Sequence, residues 1–322
     1  MAAVQPKEVT PFLLYASDGT FRDATEVVTG IRKNYTMDAG AQISVNIYDD
    51  QRKMLKAQYF RLGTSYFLSS EEWIVNAVDI SQGEGDGAAV TMELLEKKFH
   101  LLKNDFNPQN FRAANGFSFA EKVAKKYGLK FIGEKVKGKQ QTIKVKAKNN
   151  TESVWSVLQR SASDNQYLCF IANKTLFFAS PKFLIGKWGT KEISYRPTGE
   201  NKDSPFLFVP LVYPTPDETK DFFLVGMPSM RRALDSKKQA EGSVSIFGPS
   251  AQNLRAGMTV MVYGLGAAFD NSYLITSVDF EEYTVEPVEI TFANIASLSP
   301  EDKQKVDKKI SEVTVISGSG GS

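Results

Sequence analysis

The chain has one cysteine, Cys169, and one histidine, His100, among its 322 residues. An intrachain disulfide is therefore impossible, and any site that needs two histidines is excluded. An excess of one charge is missing too. The 39 Lys and Arg against 37 Asp and Glu leave a formal net charge of +2, so no global field draws the chain onto nucleic acid or lipid. No stretch approaches the ~20 consecutive apolar residues that a spanning helix needs, so membrane insertion by this chain is not expected. The start, Met1-Ala2-Ala3-Val4-Gln5-Pro6-Lys7, lacks the basic-then-apolar pattern of a secretory signal. The product is expected to be made and kept in a cytoplasm, or to leave by cell lysis rather than secretion. A composition of 42% hydrophobic and 24% charged residues is that of an ordinary globular protein, and the length suggests two or three domains.

Catalytic chemistry is equally sparse. A Ser/His/Asp triad could use only His100, which follows Lys97-Lys98-Phe99, and there is no Gly-x-Ser-x-Gly elbow. Cys169 sits between Leu168 and Phe170 in an expected hairpin, where a thiol is buried and inert. No His, Cys or carboxylate spacing suits a metal. Gly264-Leu265-Gly266-Ala267-Ala268 follows a strand but precedes Phe269-Asp270-Asn271 and another strand. A phosphate loop needs a helix N-terminus there, so this reads as a hairpin turn. Glu281 and Glu282 are neighbours on a strand and point to opposite faces, which does not suit a glycosidase pair. No catalytic residue, cofactor or metal ligand is expected.

What the chain does contain is strands. Ile43-Ser44-Val45-Asn46-Ile47 alternates apolar and polar, and Tyr66-Phe67-Leu68, Trp73-Ile74-Val75 and Val90-Thr91-Met92 are β-prone runs separated by turns such as Gly83-Glu84-Gly85-Asp86-Gly87. The middle changes character. Ser118-Phe119-Ala120-Glu121 has the spacing of a capping box, followed by Phe119, Val123 and Tyr127 at helical spacing and Gly128 as a stop. A second helix is expected near Thr151, burying Val154, Trp155, Leu158 and Ala162. A hairpin of 167–171 and 176–179 turns at Asn173-Lys174. After Pro205, Pro210, Pro214 and Pro216, strands resume up to about residue 295. The expected domains are 1–109 and 205–296, all β, flanking an α+β unit of 110–204. Residues 297–322 form a tail that is either a short docking helix or a frayed end, closing on a Gly/Ser stretch that is native or appended.

The two β regions resemble each other. Trp73-Ile74-Val75-Asn76-Ala77-Val78-Asp79-Ile80 aligns with Tyr273-Leu274-Ile275-Thr276-Ser277-Val278-Asp279-Phe280 at an offset of 200 residues. Phe60-Arg61-Leu62-Gly63 matches Leu254-Arg255-Ala256-Gly257, Ile43-Ser44-Val45-Asn46-Ile47 matches Val244-Ser245-Ile246-Phe247, and Val90-Thr91-Met92 answers Val288-Glu289-Ile290. The fold class expected is mainly β: two similar small β-barrels flanking an inserted α+β unit. A chain carrying two like domains lets three copies present six around an axis, which joins a six-fold ring to a three-fold object.

That order of barrel, α+β unit and barrel resembles the tail-hub proteins of bacteriophages and contractile injection systems. The segment Thr151-Glu152-Ser153-Val154-Trp155-Ser156-Val157-Leu158-Gln159-Arg160, leading to Tyr167-Leu168-Cys169-Phe170 and Leu176-Phe177-Phe178, is similar to their Trp-containing helix and aromatic hairpin. Gly242-Ser243-Val244, Leu254-Arg255-Ala256-Gly257-Met258 and Tyr273-Leu274-Ile275-Thr276-Ser277-Val278 resemble their second barrel. The resemblance implies a homotrimer in the virion's tail tip, between a hexameric tail tube and a trimeric tip, spike or fibre, around a channel through which DNA passes without specific binding. Some members carry a peptidoglycan hydrolase, for which this chain has no spare segment.

One charge cluster offers another reading. Residues 121–148 hold ten lysines and two glutamates, a net +8. Lys144, Lys146 and Lys148 alternate with Ile143, Val145 and Ala147, so a strand would project them ~7 Å apart on one face. Such a row is a solvated face, a guarded edge, or a contact for phosphates in a nucleic-acid-binding module.

Overall fold

The computed structural model describes residues 13–15, 21–68, 71–135, 152–185, 187, 190–196, 207–209, 223–232, 240–247, 251–263, 269, 271–282 and 287–294. The chain forms two compact units. One comprises residues 1–33, 40–104 and 281–284, the other 34–39, 105–280 and 285–322.

The first unit is built on antiparallel strands in the order Val28–Thr36, Gly40–Asp49, Ala88–Glu96, Glu71–Gln82, Ser65–Leu68. Its alternating sequences become one buried face: Ile43, Val45 and Ile47 on one strand, Val90, Met92 and Leu94 on its neighbour. Trp73 and Tyr66 fill the centre, and the Trp73 indole N–H donates to the Leu68 carbonyl. The residues around His100 form the helix Lys97–Asn104, which buries Phe99 and Leu102. Gly40 turns with a φ of +70°, and any side chain there would strike the Phe99 ring.

In the second unit the α+β part has two helices on a three-stranded sheet. Strand Lys130–Gly133 runs parallel to Thr175–Ala179, which pairs antiparallel with Leu168–Ala172. Helix Gly116–Lys126 is capped three residues before the expected cap, Ser118. Asn115 is the N-cap, its side chain accepting from the Ser118 N–H at 2.9 Å, while Ser118 Oγ accepts the Asn115 N–H. Both spacings fit a capping box, and Asn caps as well as Ser, so the sequence pattern does not separate them. The helix stops at Gly128, whose φ is +63°. Helix Val154–Asp164 buries Val154, Trp155, Leu158 and Ala162 as expected. The hairpin turns at Asn173 and Lys174, both at positive φ. Phe170 and Phe177 stack at 4.6 Å within a cluster that includes Met37, Ala256 and Leu274.

Asp105 ties the start of this part to its first long helix. Its carboxylate accepts from the Tyr127 hydroxyl and, at 3.1 Å, from Lys126, while the Asp105 carbonyl accepts the Val154 N–H. Burial raises the carboxyl, but bonds from Tyr127, the Asn107 N–H and Lys126 outweigh it and hold it below the ordinary range.

The second antiparallel array runs Phe223–Arg231, Ala240–Phe247, Val288–Asn294, Asn271–Glu282, Thr259–Tyr263. This is the strand order of the first unit, element for element. The likeness extends to irregularities. Each twelve-residue strand has a bulge at the same place, between Val75 and Ala77 and between Ile275 and Ser277. Before each, an Arg-x-Gly turn docks on the strand: Gly63 N–H donates to Val75 and Val75 N–H to Thr64, and Gly257 N–H donates to Ile275 and Ile275 N–H to Met258. The expected match of 43–47 with 244–247 is two residues out. Val45 faces Met92 as Val244 faces Ile290, so Val45 is the counterpart of Val244. A period of two makes registers two apart identical in pattern, and only the pairing separates them.

Strand Thr190–Arg196, expected in the α+β unit, extends the second array by parallel pairing with Thr259–Tyr263, and Leu207–Val209 pairs with it in turn. Among the described residues no pairing joins the ends of either array into a ring. The Cα atoms of Leu207–Val209 and Phe223–Arg231 nonetheless approach within 8 Å, as do those of Leu13–Tyr15 and Ser65–Leu68.

Gly63 and Gly257 have φ of +78° and +89°. Gly63→Ala and Gly257→Ala should each lower stability by about 1 kcal/mol in denaturant titrations, whereas Leu62→Ala, at an exposed position, should change it by less than about 0.5 kcal/mol. A carboxyl depressed in the fold stabilises above its unfolded pKa of about 3.9, and that contribution is lost as the pH falls through the folded value. Tyr127→Phe should therefore cost about 1 kcal/mol at neutral pH, a deficit that shrinks below about pH 4 in urea titrations at stepped pH.

Candidate functional site

Among the described residues no group of three His, Cys, Asp or Glu could hold a metal ion, and no helix is long and apolar enough to cross a membrane. Cys169 is buried, and burial pushes its thiol well above the ordinary value, so it is no nucleophile. His100 Nδ1 is buried without a hydrogen-bond partner among the described residues. Strands Thr259–Tyr263 and Asn271–Glu282 pair antiparallel with Val262 opposite Asn271, so the Gly-rich loop between them links a hairpin. Lys144, Lys146 and Lys148 lie outside the described residues, as does the tail of 297–322.

The arrangement that stands out is a strand edge. In strand Asn271–Glu282 the neighbour Thr259–Tyr263 reaches only to Leu274, and the Arg-x-Gly turn adds contacts at Ile275. The rest of that edge, from Thr276 on, is taken within the second unit by residues 34–37. Met37 N–H donates to the Thr276 carbonyl at 3.1 Å, and Asn34 Nδ2 donates to Asp279 Oδ2 at 2.9 Å. The Tyr35 ring stacks on Phe280 at 6.2 Å, and the Arg255 guanidinium lies 4.1 Å above Tyr35. Arg255 is held there by donating to the Gln252 and Leu254 carbonyls at 2.6 and 2.7 Å. In the first unit the buried Lys33 ammonium meets the Glu282 carboxylate at 2.9 Å. Glu282 is thus bound as an ion-pair partner, not poised as a catalytic acid.

This edge was not singled out in the sequence. Its one visible signal is the length of the two strands that end Val-Asp, each running well past the Arg-x-Gly turn that would dock on it. Arg255→Ala should destabilise the protein by about 1–2 kcal/mol through the lost cation–ring contact and carbonyl bonds. Its counterpart Arg61, exposed and bonded at 2.6 Å to the Gln58 side chain, should tolerate Ala within about 0.5 kcal/mol. Thermal melts of the two variants side by side check the contrast.

No protein-family model matches the sequence, and no curated protein matches it. Solved structures do. The 43 kDa tail protein of prophage MuSo2 from Shewanella oneidensis superposes with a TM-score of 0.55 at 12% identity, covering 89% of this chain and 98% of that one. Prophage tail protein gp18 from Listeria monocytogenes gives 0.51 at 10% identity over 95% and 99%. The Escherichia coli c3393 protein, a type VI secretion component described as structurally similar to T4 tail proteins gp27 and gp5, gives 0.52 at 12% identity over 85% and 74%. The chain therefore shares the fold of these phage-tail and type VI secretion proteins.

Proposed function

We propose that this protein is a structural tail hub: a trimeric adaptor in the virion's tail tip that joins a hexameric tail tube to a three-fold tip or spike around a channel for DNA. The observation that carries it is the repeat, two arrays with one strand order, one bulge and one Arg-x-Gly dock in a single chain. Three such chains offer six equivalent modules to a six-fold partner while keeping three-fold symmetry for the other. In the second array the approach of Leu207–Val209 to part of Phe223–Arg231 supports closure into a barrel. In this reading the domains are the two β modules, the α+β unit between them and the tail. The structural likeness to tail proteins supports a non-enzymatic role in tail assembly.

Light scattering, alone and with the tube protein, should give the mass of three chains. Electron cryo-microscopy of the assembled tail should place three copies at the end of the tube, each contributing two modules to a ring. Six copies per ring, or a particle without this chain, would sink the reading.

A further inference from the structure

The repeat makes each position of one module a control for the other, and one comparison is unequal. In the second module the far half of strand Asn271–Glu282 has its edge covered by residues 34–37. In the first module the counterpart half, residues 76–82, has Ala88–Glu96 on one side and, among the described residues, no strand on the other, because Ser65–Leu68 pairs only with 71–74. The side chains follow. Ile80 is 56% exposed where Phe280 is 5% exposed, and Leu62 is 67% exposed where Ala256 is 2% exposed. Val78 is half-buried where Val278 is fully buried. An apolar, half-open strand edge of this kind is a template for another strand.

The molecule also contains the strand that would fit. In strand order, Phe223–Arg231 holds the place in the second module that Val28–Thr36, the source of residues 34–36, holds in the first. It pairs with Ala240–Phe247, and on its other side the three-residue strand Leu207–Val209 comes within 8 Å without a pairing, leaving most of that nine-residue edge unpaired among the described residues. Its end is basic: Arg231 and Arg232 are exposed. Arg231 alternates outward with Ser229, as Asn34 alternates with buried Lys33 and Tyr35. The open edge is acidic, with Asp79 exposed at the place of Asp279, and Glu84 and Asp86 exposed in the turn that follows.

We propose that strand Phe223–Arg231 of one subunit adds to the open edge of residues 76–82 in a second copy, Arg231 meeting Asp79 where Asn34 meets Asp279 within the chain. The contact is heterologous, one edge giving and a different edge receiving, so it propagates head to tail and closes when the last subunit meets the first. This rests on the trimeric reading and names the surfaces that build it. Leu62 and Ile80 become buried at the junction.

The test is a pair of cysteines, Asp79→Cys and Arg231→Cys, in one chain oxidised by oxidised glutathione, with the native Cys169 buried. Facing strand residues lie within disulfide reach. The double variant should give covalent species of two and then three chains, and neither single variant should cross-link. Covalent dimers from Asp79→Cys alone would mean like edges meet, which overturns the pairing. A three-chain mass in light scattering without a cross-link would leave the trimer standing and remove this interface. A chain that neither associates nor cross-links, free or in the assembled tail, removes both. Asp79→Arg should weaken association roughly tenfold or more, and adding Arg231→Asp should restore it. An unchanged mass-concentration profile for Asp79→Arg overturns the contact.

Discussion

A strand has two hydrogen-bonding edges, and a strand longer than its neighbour leaves part of one edge open to water or to another chain. Both twelve-residue strands here outrun the short strand beside them by more than half their length. The bulge and the Arg-x-Gly turn mark where the short neighbour ends, at Val75 in one copy and Ile275 in the other. Everything beyond that point has to be satisfied by something else. In the second module it is satisfied by residues 34–37, which contribute a backbone hydrogen bond, an amide–carboxylate bond and a stacked ring.

Duplication turns that constraint into an assembly rule. Identical topology with unequal surroundings shows what each copy has to acquire: where Phe280 and Ala256 are covered, Ile80 and Leu62 are not. The substitutions between copies are chemically consistent with this. Asp79 and Asp279 keep their charge, while the residue presented to them changes from Asn34 within the second unit to Arg231 at the proposed junction. A charged pair suits a contact that forms by diffusion, since it steers encounter as well as fixing register.

The α+β part obeys different physics. Its helices are held by capped ends and by an aromatic cluster, and Asp105 ties Tyr127 and Lys126 to the segment that leads in. These are short-range features, so most were legible in the sequence: the buried face of Val154, Trp155, Leu158 and Ala162, and the Asn173-Lys174 turn. The start of the first helix slipped by one cap because Asn115 and Ser118 both satisfy the spacing. The helix Lys97–Asn104 was missed because it is only eight residues long and follows directly on a strand, and its buried Phe99 lies against the turn at Gly40.

By itself the sequence determined the period of each strand, the sites of the tight turns and the existence of a repeat, because these depend on residue type and spacing within a few positions. Tertiary structure alone decided the register of Val45 against Val244, the parallel strand Thr190–Arg196 joining the second array, and which half-edge is covered. Those depend on which backbone meets which across long stretches of chain. An alternating pattern is unchanged by a slip of two, and it carries no mark of its partner.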